Sequence, residues 1–379
     1  GNGRITVTNQ GNKTLILHGQ NTAANTINGM IDQGAGVLSL TVNPNVSNNS
    51  IYGAGRWVLA NINNNMSGNI TVPMGTLEFL GNLGTGAETA GVMGNLTSNR
   101  IIDLGTANFN GRRFAFNGGT DNLTEAGGVA NNGTLVFNDP NPGVLTLGSN
   151  ITFNQSFSNG SNPGNGELIN NGTKTLVIQG NFFARAYNST TGLMDANIAI
   201  SGNRNWILDG TNTGDNIING SIFTANGPAV GILKEGSGKW ILNNTNNTMT
   251  GGITVARGWL EFAGGSAIGD DATVNVTNAG SDGTSVGGAT FRIRSSETIG
   301  GLAGTVGSNA IIDNGILTVR AGNQTFSGVI DGSGGVTRSN NDANARVSTF
   351  TNKNLYLGAT TVTTNGTNFM ANRIDVYHL

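Results

Sequence analysis

Gly53–Phe79, GAGRWVLANINNNMSGNITVPMGTLEF, returns without a gap 183 residues later as Gly236–Phe262, GSGKWILNNTNNTMTGGITVARGWLEF. Sixteen of the 27 positions are identical, and most others are like-for-like swaps. A duplication of this quality marks a chain that stacks one supersecondary unit on itself, since each unit buries its apolar face only against a neighbour. A residue shared by both copies therefore has a structural reason to recur before it has a chemical one. A second correspondence relates Gly11–Ile31 to Gly202–Ile222 at an offset of 191, eight more than the first, a loop-sized difference. A third pattern, [Ile/Phe]-x-Gly-x-Ile, occurs at Ile27–Ile31, Ile218–Ile222 and Phe326–Ile330.

Short alternating runs lie between NG, GN, GG and NN turns, and they predict strands rather than helices. The expected strands include Thr14–Leu17, Trp57–Leu59, Ile70–Val72, Thr134–Phe137, Leu145–Leu147, Thr175–Ile178, Trp206–Leu208, Ile253–Val255, Ile316–Val319 and Leu355–Leu357. The longest stretch free of Gly, Asn and Pro, Ala289–Ile299, alternates with period two. Asparagine and the 61 glycines supply the left-handed backbone of tight turns. Strands of this kind build a sandwich, a barrel or a solenoid, and constant strands joined by unequal loops select the solenoid. All-β architecture with little or no α-helix follows. The chain reads as one continuous β-solenoid of two duplicated halves, about 1–190 and 191–379. A coil of roughly 20 residues gives about 19 coils, and at about 4.8 Å per coil a rod about 90 Å long. Turn asparagines are expected to bond up the stack as ladders.

Charged residues make up 11% of the chain and the net charge is −2. The basic residues are scattered, with Arg112–Arg113 and Arg292/Arg294 the nearest to clusters, so a nucleic-acid partner is not expected. Without cysteine there is no disulfide, thiolate metal site or cysteine nucleophile. No apolar run reaches the length of a membrane-spanning helix. Gly1 opens strand-like sequence, so any export signal is expected to lie outside this chain or to have been removed.

The pattern G-x-G-x-[W/T]-x-L-x-x-x-N-x-[M/Y]-[S/T]-G-x-[I/T]-T-V-x-x-G-x-L, carried by Gly53–Leu77 and Gly236–Leu260, resembles the autotransporter-associated β-strand repeat of bacterial passenger domains. Phe326–Arg338 resembles the segment that commonly precedes it, and Leu357–Val362 a degenerate continuation. The resemblance implies a right-handed parallel β-helix exported by a Gram-negative bacterium and displayed or shed at the cell surface. It implies roles in adhesion, aggregation or matrix structure. No C-terminal membrane β-barrel is recognisable, although Arg373–Leu379 is strand-like, and no capping helix is evident at either end. Terminal coils without caps would offer strand edges for end-to-end self-association.

Glu78 and Glu261 are the acids that most invite a glycosidase reading, which needs two carboxylates about 5–9.5 Å apart. Their equivalent places in separate copies predict outward strand residues instead. Asp270–Asp271 and the stretch Asp331 to Asp342 offer oxygen ligands for calcium but lack a regular nonapeptide spacing, and read as turn acids. His18, which aligns with Asp209 at an expected turn, and His378 have no motif of a nucleophilic triad around them. Trp57 and Trp240 are expected to pack on or within the coil. Trp259, in place of Thr76, is expected to be exposed, where it could stack on a sugar, and Arg292 and Arg294 share one solvent face that could meet an acidic glycan. Asn-x-Ser/Thr triplets, including those at Asn65, Asn95, Asn132, Asn171 and Asn246, leave glycosylation open. No catalytic residue, cofactor or metal is expected. The chain reads as a non-enzymatic extracellular or surface scaffold, with a possible host-cell or glycan ligand. The alternative is a polysaccharide lyase or tailspike-like hydrolase on the same kind of helix.

Overall fold

Period-two runs cut by Asn/Gly turns give short strands throughout the computed structural model, and no helix occurs among its described residues. These are residues 3–8, 10–19, 21–42, 55–73, 75–104, 133–157, 165–188, 193–195, 203–224, 229–277, 288–320, 323–340, 347–352, 354–364 and 373–376. They form two units, one of Gly1–Trp206 with Thr224–Pro228, the other of Ile207–Phe223 with Ala229–Leu379.

In the first unit, Ala24–Ile27, Arg56–Leu59, Gly75–Leu80, Gly133–Asn138 and Gly166–Asn170 pair in that order. A second sheet runs Lys13–Leu17, Leu38–Val42, Ile70–Thr71, Arg100–Asp103, Ile151–Phe157 and Phe182–Asn188. The pairs with described register are parallel, apart from Phe182–Asn188 against Leu193–Asp195. Like stands on like: Gly75, Gly133 and Gly166 form one row, and Leu77, Leu135 and Leu168 another. Phe79 lies on Phe137 with ring centroids 6.2 Å apart, and Phe153 on Phe182 at 4.7 Å. These side chains are fully buried, each contributing about 1.5–3 kcal/mol relative to exposure.

The second unit has three sheets. From Thr273 to Asn340 the chain visits them in strict rotation: Thr273–Val276, Thr290–Ile293, Glu297–Ile299, then Gly301–Gly304, Asn309–Ile312, Ile316–Val319, then Gln324–Phe326, Val329–Asp331, Gly335–Asn340. Every described pairing in this unit is parallel. Stacked parallel sheets visited in turn are consistent with a β-solenoid. A return of 20 residues brings Trp259 beside Lys239, Leu317 beside Glu297 and Val329 beside Asn309. In the first unit Thr134 stands beside Thr76 at a separation of 58 residues.

The duplicated segment is one coil plus the strand that closes on it. Its first and last strands pair in parallel, at one register in both copies: Arg56–Leu59 with Thr76–Phe79, and Lys239–Leu242 with Trp259–Phe262. Its asparagines bind neighbouring coils. Asn64 accepts the Ile31 amide at 2.8 Å and donates to the Val92 carbonyl at 3.1 Å; Asn247 accepts the Ile222 amide at 2.8 Å and donates to the Ala267 carbonyl at 2.9 Å. Asn61 and Asn244 each donate to a carbonyl of the coil before, that of Asn28 and of Asn219. The expected ladders thus run chiefly through side chain and backbone, where the turn would leave peptide groups unpaired. Gly68 and Gly251 press on the preceding coil; a Cβ on Gly251 would lie 2.5 Å from the Val230 carbonyl carbon and the Gly231 nitrogen. The [Ile/Phe]-x-Gly-x-Ile motif is a corner between sheets, ending one strand at Ile27, Ile218 or Phe326.

One strand expectation fails. Leu355–Leu357 is no strand, although Leu355 and Leu357 donate to the carbonyls of Ile330 and Gly332; both side chains are exposed. The alternating stretch Ala289–Ile299 divides into two strands, Thr290–Ile293 and Glu297–Ile299, on different sheets. Alternation continues through the corner at Arg294–Ser296, so the period alone does not reveal it.

Candidate functional site

The outer face of the second unit's middle sheet gathers the charged and aromatic residues singled out above. Leu260 and Phe262 point into the core, so the residues between and beside them, Trp259 and Glu261, project from the other side. Register places Lys239 beside Trp259, and Glu261 beside Arg292 on the next coil. Glu261 is an outward residue, as expected, but it is not solvated: its side chain is 0% exposed. Arg292 Nη1 reaches its Oε2 at 3.3 Å, Lys239 Nζ lies 3.7 Å from the same oxygen, and Arg294 Nε pairs with Oε1. Asp215 takes the Lys239 ammonium at 2.7 Å and Asp313 pairs with Arg292. Acid and base alternate along the face, and charge balances.

Trp259 is half-buried rather than open. Lys239 Nζ and Arg292 Cζ each lie 5.7 Å from its ring centroid, so intramolecular cations take the positions a stacked sugar would need. Arg292 and Arg294 share a face as read from the sequence, but they are drawn onto Glu261 instead of being freely solvated.

Glu78 in the first unit repeats the arrangement. It is buried, accepts from Arg56 Nε at 2.9 Å and from Asn138 Nδ2 at 2.9 Å. Arg56 and Lys239 occupy the same repeat position, so the duplicated acid is an inter-strand clamp in both copies. A carboxylate clamped between cations is a poor nucleophile or proton carrier.

The other candidates are dispersed. Asp270 pairs with Arg320, and Asp331 caps the Gly332 amide at 2.7 Å. His18 is exposed just beyond Lys13–Leu17, whereas its counterpart Asp209 lies inside the strand Arg204–Gly210. Trp240 is fully buried and donates to the Asp209 carbonyl at 3.0 Å; Trp57 is half-buried. Asn65 is engaged, donating to Asp32 at 2.7 Å and accepting from Gln33, while Asn171 and Asn246 are exposed. Arg112, Arg113, Asn132, Asp342 and His378 lie outside the described residues.

Sequence reasoning missed the buried ionisable groups. Lys234 is fully buried in the inward phase of Val230, Ile232 and Lys234, its Nζ 2.8 Å from the Gly236 carbonyl, and burial pushes the ammonium down to about 7. Arg100 donates to the Gly68 and Met93 carbonyls, and burial lowers it to about 10. Lys174 and Asp139, 2.9 Å apart and both buried, tie the loop after Leu80 to later coils through the Gly84 carbonyl and the Leu83 amide. Glu297, alternating with Ile299, is likewise buried, and burial raises its carboxyl to about 7. A charged residue in the inward phase of a strand was the available signal. Perturbed groups mark functional sites only when they converge on a cleft; each of these is held by hydrogen bonds to backbone groups.

The family model described as Passenger-associated-transport-repeat matches residues 52–79 and 232–262, the two copies of the duplicated segment. No curated protein and no solved structure matches this chain.

Proposed function

From a chain that carries two passenger-associated transport repeats, we propose an exported, non-enzymatic passenger whose work is mechanical: a surface or extracellular scaffold of a Gram-negative bacterium. The observation that carries this reading is the use made of the repeat. Four polar positions of the repeat, Arg56/Lys239, Asn61/Asn244, Asn64/Asn247 and Glu78/Glu261, fasten one coil to another in both copies. Right-handed winding belongs to the same proposal, since parallel crossovers are overwhelmingly of that hand.

Adhesion would then come from many weak contacts along a face rather than from one pocket. Self-association end to end is the more specific version. Among the described residues Lys13–Leu17 pairs only with Leu38–Val42, and Arg373–Val376 only with Val347–Phe350, and such edges accept a further strand. Antibody labelling of intact source cells or of their medium tests the location; a pool confined to the cytoplasm refutes it. Negative-stain images of concentrated protein test polymerisation, and a monodisperse monomer removes it. Reducing sugars released from a polysaccharide panel would overturn the non-enzymatic reading in favour of a glycan-degrading helix.

A further inference from the structure

An asparagine followed by glycine can cyclise on itself, because the glycine nitrogen lies within reach of the asparagine Cγ and no side chain crowds the approach. A folded chain blocks this reaction by engaging the glycine amide, by holding the carboxamide, or by leaving no room for a ring. Five Asn-Gly pairs lie wholly within the described residues: Asn28–Gly29, Asn165–Gly166, Asn171–Gly172, Asn219–Gly220 and Asn314–Gly315. Four are blocked. Gly172 N–H donates to the Phe137 carbonyl at 3.3 Å and to Asn170 Oδ1 at 3.1 Å. Asn165 Oδ1 accepts the Asn205 amide at 2.8 Å, and Asn219 Oδ1 accepts Asn243 Nδ2 at 2.9 Å. Gly29 is buried, with the Gly3 carbonyl oxygen 1.8 Å from where a Cβ would stand.

Asn314–Gly315 escapes all three restraints. It forms the corner between Asn309–Ile312 and Ile316–Val319. The backbone on either side is fixed: Asp313 N–H donates to the Ile293 carbonyl at 3.0 Å and Ile316 N–H to Ser296 Oγ at 3.1 Å. Gly315 accepts the Gly335 amide at 2.9 Å, but its own N–H meets no acceptor among the described residues. Asn314 is exposed. The Ser333 hydroxyl stands 3.4 Å from its Oδ1, at the long limit of a hydrogen bond, so the carboxamide can turn toward Gly315. Both residues line a groove of about 380 Å³ with Ile316, Ser333, Gly334 and Thr337, which gives space for a five-membered ring and access for water.

We propose that Asn314–Gly315 is a spontaneous modification site, at which the folded protein converts asparagine to aspartate and isoaspartate. The Gly315 nitrogen gives up its proton and bonds to Asn314 Cγ; the Cγ–Nδ2 bond breaks, and ammonia leaves with that proton as a succinimide closes. Water then opens the ring at either carbonyl. Each product adds a negative charge beside Asp313, the partner of Arg292, and isoaspartate also lengthens the main chain at the corner by one carbon.

Peptide mapping of the intact folded chain during incubation at mildly alkaline pH, with a denatured sample in parallel, tests the site. The readouts are the mass gain of an amide-to-acid change and isoaspartyl methyl labelling in the tryptic peptide Ser295–Arg320. In the folded chain Asn314 is expected to convert at least about tenfold faster than Asn28, Asn165, Asn171 and Asn219, whereas all five convert at comparable rates once denatured. Asn314→Gln, whose extra methylene disfavours ring closure, is expected to remove the modification from Ser295–Arg320. A folded chain that keeps the Asn314 amide while the denatured chain loses it overturns the proposal. So does conversion at any of the other four pairs at the rate of Asn314, or isoaspartyl labelling of Ser295–Arg320 that persists in Asn314→Gln.

Discussion

Replacing Asn247 by alanine removes a side chain that serves the coils on either side of it. Its Oδ1 is the acceptor for the Ile222 amide at 2.8 Å, and its Nδ2 donates to the Ala267 carbonyl at 2.9 Å. Ile222 is 1% exposed and Ala267 0%, so water does not readily replace either bond. An orphaned buried peptide group costs about 1–3 kcal/mol; two of them, with partial relaxation, put the loss at about 2–5 kcal/mol. The assay is chemical denaturation followed by far-UV circular dichroism, read as a lower midpoint at unchanged slope. Asn246→Ala is the control, because that neighbouring side chain is exposed and surface changes stay within about 0.5 kcal/mol. Asn247→Asp sharpens the test: it keeps the acceptor for Ile222 but sets a carboxylate against the Ala267 carbonyl, so it should be no more stable than the alanine variant. Asn64→Ala should behave like Asn247→Ala, since it bridges Ile31 and Val92 in the same manner. If Asn247→Ala lies within about 0.5 kcal/mol of the parent, or Asn246→Ala falls as far, the asparagine-bridge account of the repeat is wrong.

Glu261→Ala should cost about 1–3 kcal/mol, because Lys239 and Arg292 keep Asp215 and Asp313 but lose, with Arg294, their shared buried carboxylate; a loss under about 0.5 kcal/mol in the same denaturation assay would mark the cluster as a surface ornament. Gly251→Ala should cost more than about 2 kcal/mol, since its Cβ would meet Val230 and Gly231 backbone at 2.5 Å, and a variant of parental stability would show that the coils do not approach so closely. Lys234 makes stability fall as pH drops from 10.5 through about 7, because burial lowers its folded-state value and the unfolded chain takes up the proton first. Lys234→Met should flatten that slope and raise stability at pH 6.5 by a few kcal/mol, on the order expected for a lysine lowered by several units; an unchanged slope between pH 7 and 10 counts against the buried ammonium.

The strand inventory was readable because strands here are short, alternating and bounded by Asn and Gly; eight of the ten runs named at the outset lie wholly in strands, and Ile70–Val72 does so for its first two residues. Leu355–Leu357 has the same local texture and differs only in its neighbours, which leave Leu357 85% exposed. The corner at Arg294–Ser296 was hidden because turning from one sheet to the next need not break the inward–outward phase. The acids were legible as a repeated position but not as a clamp. Nothing in TLEF or WLEF says that Arg56 or Lys239 of the coil before will reach the glutamate, and Arg292 enters from beyond the repeat. Trp259 was misjudged as exposed for the same reason, its two cations arriving from adjacent coils.

Periodicity, turn chemistry and an internal duplication are properties of neighbouring residues, and they were sufficient for an all-β chain of stacked, repeating units. Which charges meet, which carboxyl is buried with a cation and which without, and where a loop takes a strand's place depend on residues 20 to 60 positions apart being brought side by side. Return lengths set by variable loops determine those meetings, and they remain unresolved until the coils are closed.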